Sequence, residues 1–251
     1  MIGIILAAGD GVRYKNSISE DRCKVLSTIN NKALLKLALD NFKSLDIKKV
    51  FIVVGNYAEA IKNEVGYSYK DMTVTYVNQT QRKGLINALI QPFDVISADD
   101  VILQLADEIL INFRAKDVAE NLAEKESDFL CGITYETNPD KIKNNYSVSV
   151  DENFFLEECI EKPEKVINNI KGTGFCVFNK QCIQLLYDNY DKENNKIYDL
   201  CDYMNFLVSS GKKGRCVCIA DKEFNINEYK DLQEAIDYCS ADDSTALTID
   251  M

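Results

Sequence analysis

Residues 1–26 read MIGIILAAGDGVRYKNSISEDRCKVL, and the interpretation of the rest of the chain hangs on them. The run 2–7 is apolar without polar alternation, the pattern of a strand buried on both faces of a parallel sheet. It stops at Ala8-Gly9-Asp10-Gly11, where two glycines let the backbone bend and let a ligand approach without meeting a Cβ. Arg13, Lys15, Arg22 and Lys24 follow closely. Strand, glycine turn and fixed cations suit a polyphosphate, on which backbone N–H groups and cationic side chains converge.

Two general phosphate motifs fail here. A dinucleotide fingerprint needs a third glycine where Tyr14 stands, and a Walker A loop needs a Gly-Lys-Ser/Thr that the stretch lacks. The 251 residues, 46% hydrophobic, are enough for one large α/β domain with a substantial core. No apolar run reaches ~18 residues and no signal-peptide pattern opens the chain, so no membrane association is expected and a cytoplasmic protein is. Nine cysteines without a CxxC pair, and no histidine, point to buried reduced thiols rather than zinc or disulfides. The net charge of −11 argues against nucleic acid. It is uneven, however: residues 1–70 carry 11 Lys and Arg against 7 Asp and Glu, so an anion is least repelled there.

Onward from the first strand the chain alternates. Helices are predicted over 31–44, 58–65 and 84–90, and strands over 50–54 (VFIVV), 73–77 (TVTYV) and 101–105 (VILQL). This order predicts an α/β, doubly wound, mostly parallel sheet with ligands at the carboxyl ends of its strands. A charged helix over 116–128 precedes a β-rich part with strands at 129–134, 146–150, 154–160 and 174–178, then a helix at 228–238. One domain is expected over 1–239, with a nucleotide-binding half (1–115) and an acceptor-binding half (116–239), and a flexible tail at 240–251.

Leu6-Ala7-Ala8-Gly9, Gly11, Arg13 and Lys24 resemble the L-A-A-G-x-G-x-R…K signature of sugar-phosphate nucleotidyltransferases (pyrophosphorylases), although Cys23 replaces the proline common before the lysine. Four further segments, in the family's order, extend the resemblance over about residues 2–236. Gln79, four residues, then Gly84-Leu85 is similar to the base-reading segment. Ala106-Asp107-Glu108 stands for L-G-D-N, Glu161-Lys162-Pro163 for E-K-P, with Thr173-Gly174 and Phe178 beyond it, and residues 223–235 for the closing segment. The resemblance implies a GT-A-like fold and an enzyme that joins a nucleoside triphosphate (CTP, UTP or dTTP) to a phosphorylated small molecule. Arg13, Lys24 and Lys162 then serve as catalytic cations. Leu6, Ala7, Ala8, Gly9, Gly11, Gln79 and Gly84 bind the nucleotide, while Lys162, Glu161 and Gly174 bind the acceptor. Mg²⁺ is the implied cofactor, on Asp107 and either Asn225 or Asn227; Glu108 is a lesser candidate, and Asn227 alternatively caps the following helix.

The first expectation is a sugar-1-phosphate nucleotidyltransferase. A cytidylyltransferase for a small phosphate or phosphonate (phosphocholine-like) is the alternative, favoured by short length and by Ser147, where hexose-handling relatives often have glycine beside the acceptor. The softened metal motif leaves a non-catalytic nucleotide-sensing subunit as an alternative of another class. A glycosyltransferase would need an Asp-x-Asp after a strand, and Asp99-Asp100 precedes one. A homo-oligomer is possible for this family, and no sequence patch marks one.

Overall fold

The run 2–7 is the strand Ile2–Ala7, buried at every residue. Lys49–Val54 and Val101–Leu105 flank it, both parallel: Ile5 lies opposite Ile52 on one side and Gln104 on the other. Met72–Asn78 adds a further parallel strand beyond Lys49–Val54. These assignments come from a computed structural model that describes residues 1–81, 83–94, 99–190 and 196–241.

The second half joins the sheet through Ile170–Phe178, whose nine residues are all buried. Its C-terminal end runs antiparallel to Val101–Leu105, with Cys176 opposite Leu103. Its other edge pairs with Phe129–Tyr135, which in turn pairs in parallel with Gly214–Cys218. Near its start, Lys171 meets Ser147 and brings in Tyr146–Val150 and then Leu156–Glu161, both antiparallel. The fold is thus mixed α/β with a mostly parallel central sheet, as the alternation of elements predicts.

Alternate residues of the first strand feed two cores, as a pleated strand requires. Ile2, Ile4 and Leu6 pack with the helices Leu85–Leu89, Lys180–Asn189 and Leu200–Ser209. Ile5 and Ala7 pack with Leu34–Ser44, Ala58–Val65 and Ala115–Glu124 on the opposite face. A third, smaller core lies under the antiparallel pair Glu108–Ile111 and Lys222–Asn225. Tyr14 is wholly buried there, its hydroxyl 2.7 Å from Ser27 Oγ and its ring edge-on to Tyr229. Where a dinucleotide loop would have glycine, this chain uses a tyrosine to pin the helix Val12–Ile18 to its C-terminal helix.

Several boundaries differ from the sequence reading. The first long helix starts at Leu34, because Lys32–Ala33 pairs with Thr28–Ile29. The charged helix ends at Glu124, where Lys125 turns left-handed. The final helix runs Tyr229–Ala241, so it takes in Ser240 and Ala241; the remainder of the expected tail, 242–251, lies outside the described residues. Eight of the nine cysteines are buried and all are free thiols. Among the described residues, no helix is long and apolar enough to cross a membrane.

Candidate active site

The glycine turn follows the first strand at its carboxyl end. Gly11 is left-handed (φ 59°, ψ 33°) and precedes the helix Val12–Ile18, with room for a Cβ limited to 3.4 Å from Lys24 Cβ. Gly9 has open space where a side chain would be. That space belongs to a cavity of about 300 Å³ lined by Leu6, Ala8, Gly9, Gln79, Gly84 and Asp107, among others. Ala7 turns its methyl into the core on the far face of the sheet.

Asp107 stands at the carboxyl end of the neighbouring strand Val101–Leu105. Lys24 Nζ donates to its Oδ2 at 2.5 Å, and the two side chains are 13% and 27% exposed. The closing segment arrives beside them: Ile226 N–H donates to the Asp107 carbonyl at 2.9 Å, and Asn225 pairs with Glu108 across the two-stranded sheet. Arg13 donates to Asn227 Oδ1 at 2.9 Å, and Asn227 Nδ2 donates to Asn225 Oδ1 at 3.2 Å. Two cations, a carboxylate and two amides therefore come together from four separated stretches of chain. The Asn227 side chain is taken up in this chain of bonds and does not cap the last helix. Instead the Asp231 carboxylate accepts from the backbone N–H groups of Asn227 and Glu228, at 2.8 and 2.7 Å.

The donor set fits Mg²⁺. Among the described residues no cluster of three or more His, Cys, Asp or Glu has metal-binding geometry. A cation held on Asp107 would have one accessible carboxylate, with the Asn225 and Asn227 amides on the adjoining segment, and would draw its other ligands from phosphate and water, the habit of Mg²⁺ at nucleotide sites. Glu108 is differently engaged: it is 1% exposed and accepts the Gly174 N–H at 2.5 Å. Burial, reinforced by the charges of Glu223 and Asp107, pushes its carboxyl well above the usual range, against the pull of the Gly174 N–H and Lys171.

Gln79 follows the strand Met72–Asn78 and lines the cavity. Gly84 has φ 91°, and a Cβ there would lie 3.0 Å from the Tyr198 carbonyl, so both backbone angle and packing demand glycine. Gln79 Nε2 donates to Gly84 O and to Asn87 Oδ1, at 3.2 and 3.0 Å. Arg82, within the same segment, lies outside the described residues.

A second cavity, about 170 Å³, shares Leu85 and Leu105 with the first and so adjoins it. Arg13, Asn145, Glu161, Lys162, Gly174 and Asn227 lie on its wall. Lys162 has a left-handed backbone (φ 45°), fixed by donation of its N–H to the Asn145 carbonyl at 2.8 Å; its Nζ is 2.6 Å from Glu161 Oε1. Gly174 is a packing requirement as well, since a Cβ would fall 2.3 Å from Leu105 Cγ. Tyr146 lines this cavity; Ser147 is buried, 4% exposed, on the strand beside it.

Three features at the site escaped the sequence reading. Asn87 and Tyr190 support Gln79 from behind, and Asn87 is visible only as a polar residue inside an apolar helix pattern. Lys171 and Glu223 form a buried ion pair, their side chains only 4% and 0% exposed, which two charges 52 residues apart do not announce.

Residues 2–223 match the profile of the nucleotidyl transferase family. The chain is 28% identical to the UTP–glucose-1-phosphate uridylyltransferase AglF of Haloferax volcanii over 236 residues, 94% of this chain and 95% of that protein. It is also 28% identical over 250 residues to the bifunctional protein GlmU of Clostridium novyi, covering 92% of this chain and 50% of GlmU. Among solved structures, a UDP-glucose pyrophosphorylase complexed with UDP-glucose superposes with TM-score 0.79 at 19% identity, over 96% of this chain and 98% of that one. A Bacillus anthracis protein provisionally assigned as a glucose-1-phosphate thymidylyltransferase gives TM-score 0.85 at 18% identity, over 100% and 97%. With a matching profile over nearly all of its length and a fold shared from end to end, the chain belongs to the nucleotidyl transferase family and is a nucleotidyltransferase.

Proposed function

We propose that this enzyme is an Mg²⁺-dependent sugar-1-phosphate nucleotidyltransferase. It joins a pyrimidine nucleoside triphosphate to a sugar 1-phosphate and releases pyrophosphate. The observation that carries the reading is the junction of two adjoining cavities beside one carboxylate and the cations Lys24 and Arg13. The sugar phosphate is supported by likeness to AglF over nearly the full length of both chains.

A phosphate oxygen of the acceptor attacks the α-phosphorus in line as the bond to pyrophosphate breaks. That oxygen is already anionic near neutral pH, so no general base is needed and a chain without histidine is no obstacle. The enzyme must instead align two polyanions and offset their repulsion. Gly9 and Gly11 let the phosphates approach the backbone, and Lys24 and Arg13 hold them. Lys162, with Glu161 beside it, draws in the acceptor phosphate on the other side. Gln79 and Gly84 seat the base. Mg²⁺, held by Asp107 and the amide oxygen of either Asn225 or Asn227, would supply charge neutralisation at the α-phosphate and the leaving pyrophosphate. In the structure Lys24 pairs directly with the Asp107 carboxylate. Removal of one such fixed charge from a preorganised site costs on the order of 10²–10³ in rate.

Pyrophosphate release with Mg²⁺ tests this, crossing UTP, dTTP, CTP, ATP and GTP with hexose 1-phosphates, phosphocholine, glycerol phosphate and 2-aminoethylphosphonate. Turnover is expected with a hexose 1-phosphate and is lost in Asp107→Ala. Turnover confined to phosphocholine or a phosphonate would replace the acceptor class. Nucleotide binding without turnover on any acceptor would sink the catalytic assignment.

A further inference from the structure

The cavity that holds Lys162 does not end there. A third cavity, about 250 Å³, shares Arg13, Asn145, Lys162 and Asn227 with it and so continues it. Lys171 lies on the wall of this continuation, with only 4% of its side chain exposed. Two other cations of that wall, Lys141 and Lys230, are more exposed and sit beside Glu234 and Glu228. Lys171 Nζ donates to the Glu223 carbonyl at 3.3 Å and to Glu223 Oε2. Burial alone would lower its pKa, but Glu223, with Glu136 and Glu108, outweighs burial and holds it above the ordinary lysine value. The group is therefore an ammonium with three N–H bonds. Among the described residues the third N–H meets no acceptor, and Glu223 Oε1 meets no donor. An ion pair buried for stability alone would close its hydrogen bonds inside the protein, because an unpaired buried N–H costs free energy.

We propose that Lys171 is a specificity-determining residue whose uncommitted N–H reads an oxygen on the organic part of the acceptor, and that Glu223 is the positioning residue that aims it. This rests on the reading of the adjoining cavity as the acceptor site, with Lys162 on the phosphate. An acceptor held there by its phosphate extends its other end toward Lys171. A hydroxyl at that point lends a lone pair to Nζ and completes its hydrogen bonding. A methylene, or the trimethylammonium group of phosphocholine, has no lone pair, and it displaces the water that would otherwise serve. The buried N–H is then left unpaired, the condition under which polar sites reject an analogue most strongly. Glu223 does not touch the acceptor, since its side chain is 0% exposed. It takes two of the three N–H bonds and so fixes the direction of the third. The acceptor class is a phosphorylated sugar with a free hydroxyl facing Lys171, and not a phosphorylated quaternary amine.

The test compares the hexose 1-phosphate that the enzyme takes best with analogues that each lack one hydroxyl, and with phosphocholine. Values of kcat/KM for pyrophosphate release are read beside calorimetric binding to enzyme loaded with nucleoside triphosphate in EDTA. In the wild type one analogue should lose about 10- to 100-fold in both, the worth of a hydrogen bond to a charged group, and phosphocholine at least as much. Lys171→Met/Glu223→Leu removes the pair without stranding a charge, a replacement that buried pairs tolerate. It should bring that analogue to within about twofold of the parent sugar, with KM for the nucleotide unchanged. Lys171→Met/Glu223→Gln should do likewise, which keeps the comparison available if the first variant does not fold. A purely structural pair would change stability, or slow every acceptor by one factor, and leave the ratio where it was. An unchanged ratio in either folded variant, or a wild type that penalises no analogue, overturns the inference and leaves the sugar-phosphate reading intact. Discrimination in binding without turnover counts against the catalytic reading and leaves this one standing; preference for phosphocholine, or absence of acceptor binding, overturns both.

Discussion

Lys24 Nζ lies 2.5 Å from Asp107 Oδ2, joining the loop after the first strand to the end of the strand beside it, 83 residues away. The contact follows from topology, because parallel strands next to each other deliver both carboxyl ends to one edge of the sheet. Lys24→Ala should lower kcat/KM for pyrophosphate release by about 10²–10³. The pair is partly exposed to solvent, so the melting temperature should move little; a large loss of stability without loss of rate would mean that the pair is structural.

If Mg²⁺ is held on Asp107 as proposed, the two amides on the adjoining segment would set how tightly it binds. Carboxylates bind this cation better than neutral amides do. Asn225→Asp and Asn227→Asp should each reduce the Mg²⁺ concentration needed for half-maximal rate, by roughly tenfold for the residue that ligates. Titration of rate against Mg²⁺ identifies which one it is, and no change in either variant would remove both from the metal site.

Lys162 has a side chain 64% exposed, and its bond to Glu161 is a surface contact. Its loss should cost the fold almost nothing. Lys162→Ala should raise KM for the phosphorylated acceptor by about tenfold or more while KM for the nucleotide stays within about twofold, given the worth of a charge-assisted hydrogen bond. Equal effects on both would argue that Lys162 serves the triphosphate instead.

Glu108 links the site to stability. Its folded pKa lies well above the ordinary carboxylate value because it is buried near Glu223 and Asp107. A raised folded pKa means that the stabilising proton is fully present below the unfolded value, about 4.5, and is lost as pH climbs through the folded one. Glu108→Gln keeps an oxygen for the Gly174 N–H and has no proton to lose. Its melting temperature should exceed that of the wild type at pH 8, by about 2–4 °C for each kcal/mol of relief, and the gap should close below pH 4.5. A gap that widens on acidification would show Glu108 ionised in the folded protein.

Much of this was legible in the residues themselves. The apolar runs 2–7, 50–54 and 101–105 are strands because no other element buries so short an apolar stretch on both faces, 73–77 is one by its β-branched residues although only Val74 of it is buried, and the glycines between them mark turns. Helices with mixed faces were harder. Lys180–Asn189 and Leu200–Ser209 pass unremarked in the sequence, and Gly214–Cys218 interleaves Arg215 with cysteines rather than running apolar. Pairing alone reveals it, since its partner is Phe129–Tyr135, 85 residues earlier at Gly214 and Phe129.

The sequence by itself determined the parallel half of the sheet, its glycine turn and the types of charge at its carboxyl edge, because periodicity and turn chemistry are local. The tertiary structure alone decided which of those charges meet. It put Lys24 on Asp107, drew Arg13 through Asn227 to Asn225, turned Glu108 into the acceptor of the Gly174 N–H, and set Asn87 and Tyr190 behind Gln79. Each of these contacts spans many residues or fixes an orientation, and a hydrogen bond exists only when distance and direction are satisfied together. Those are properties of how the strands are ordered and of which way each side chain leaves them, and no stretch of the chain records them alone.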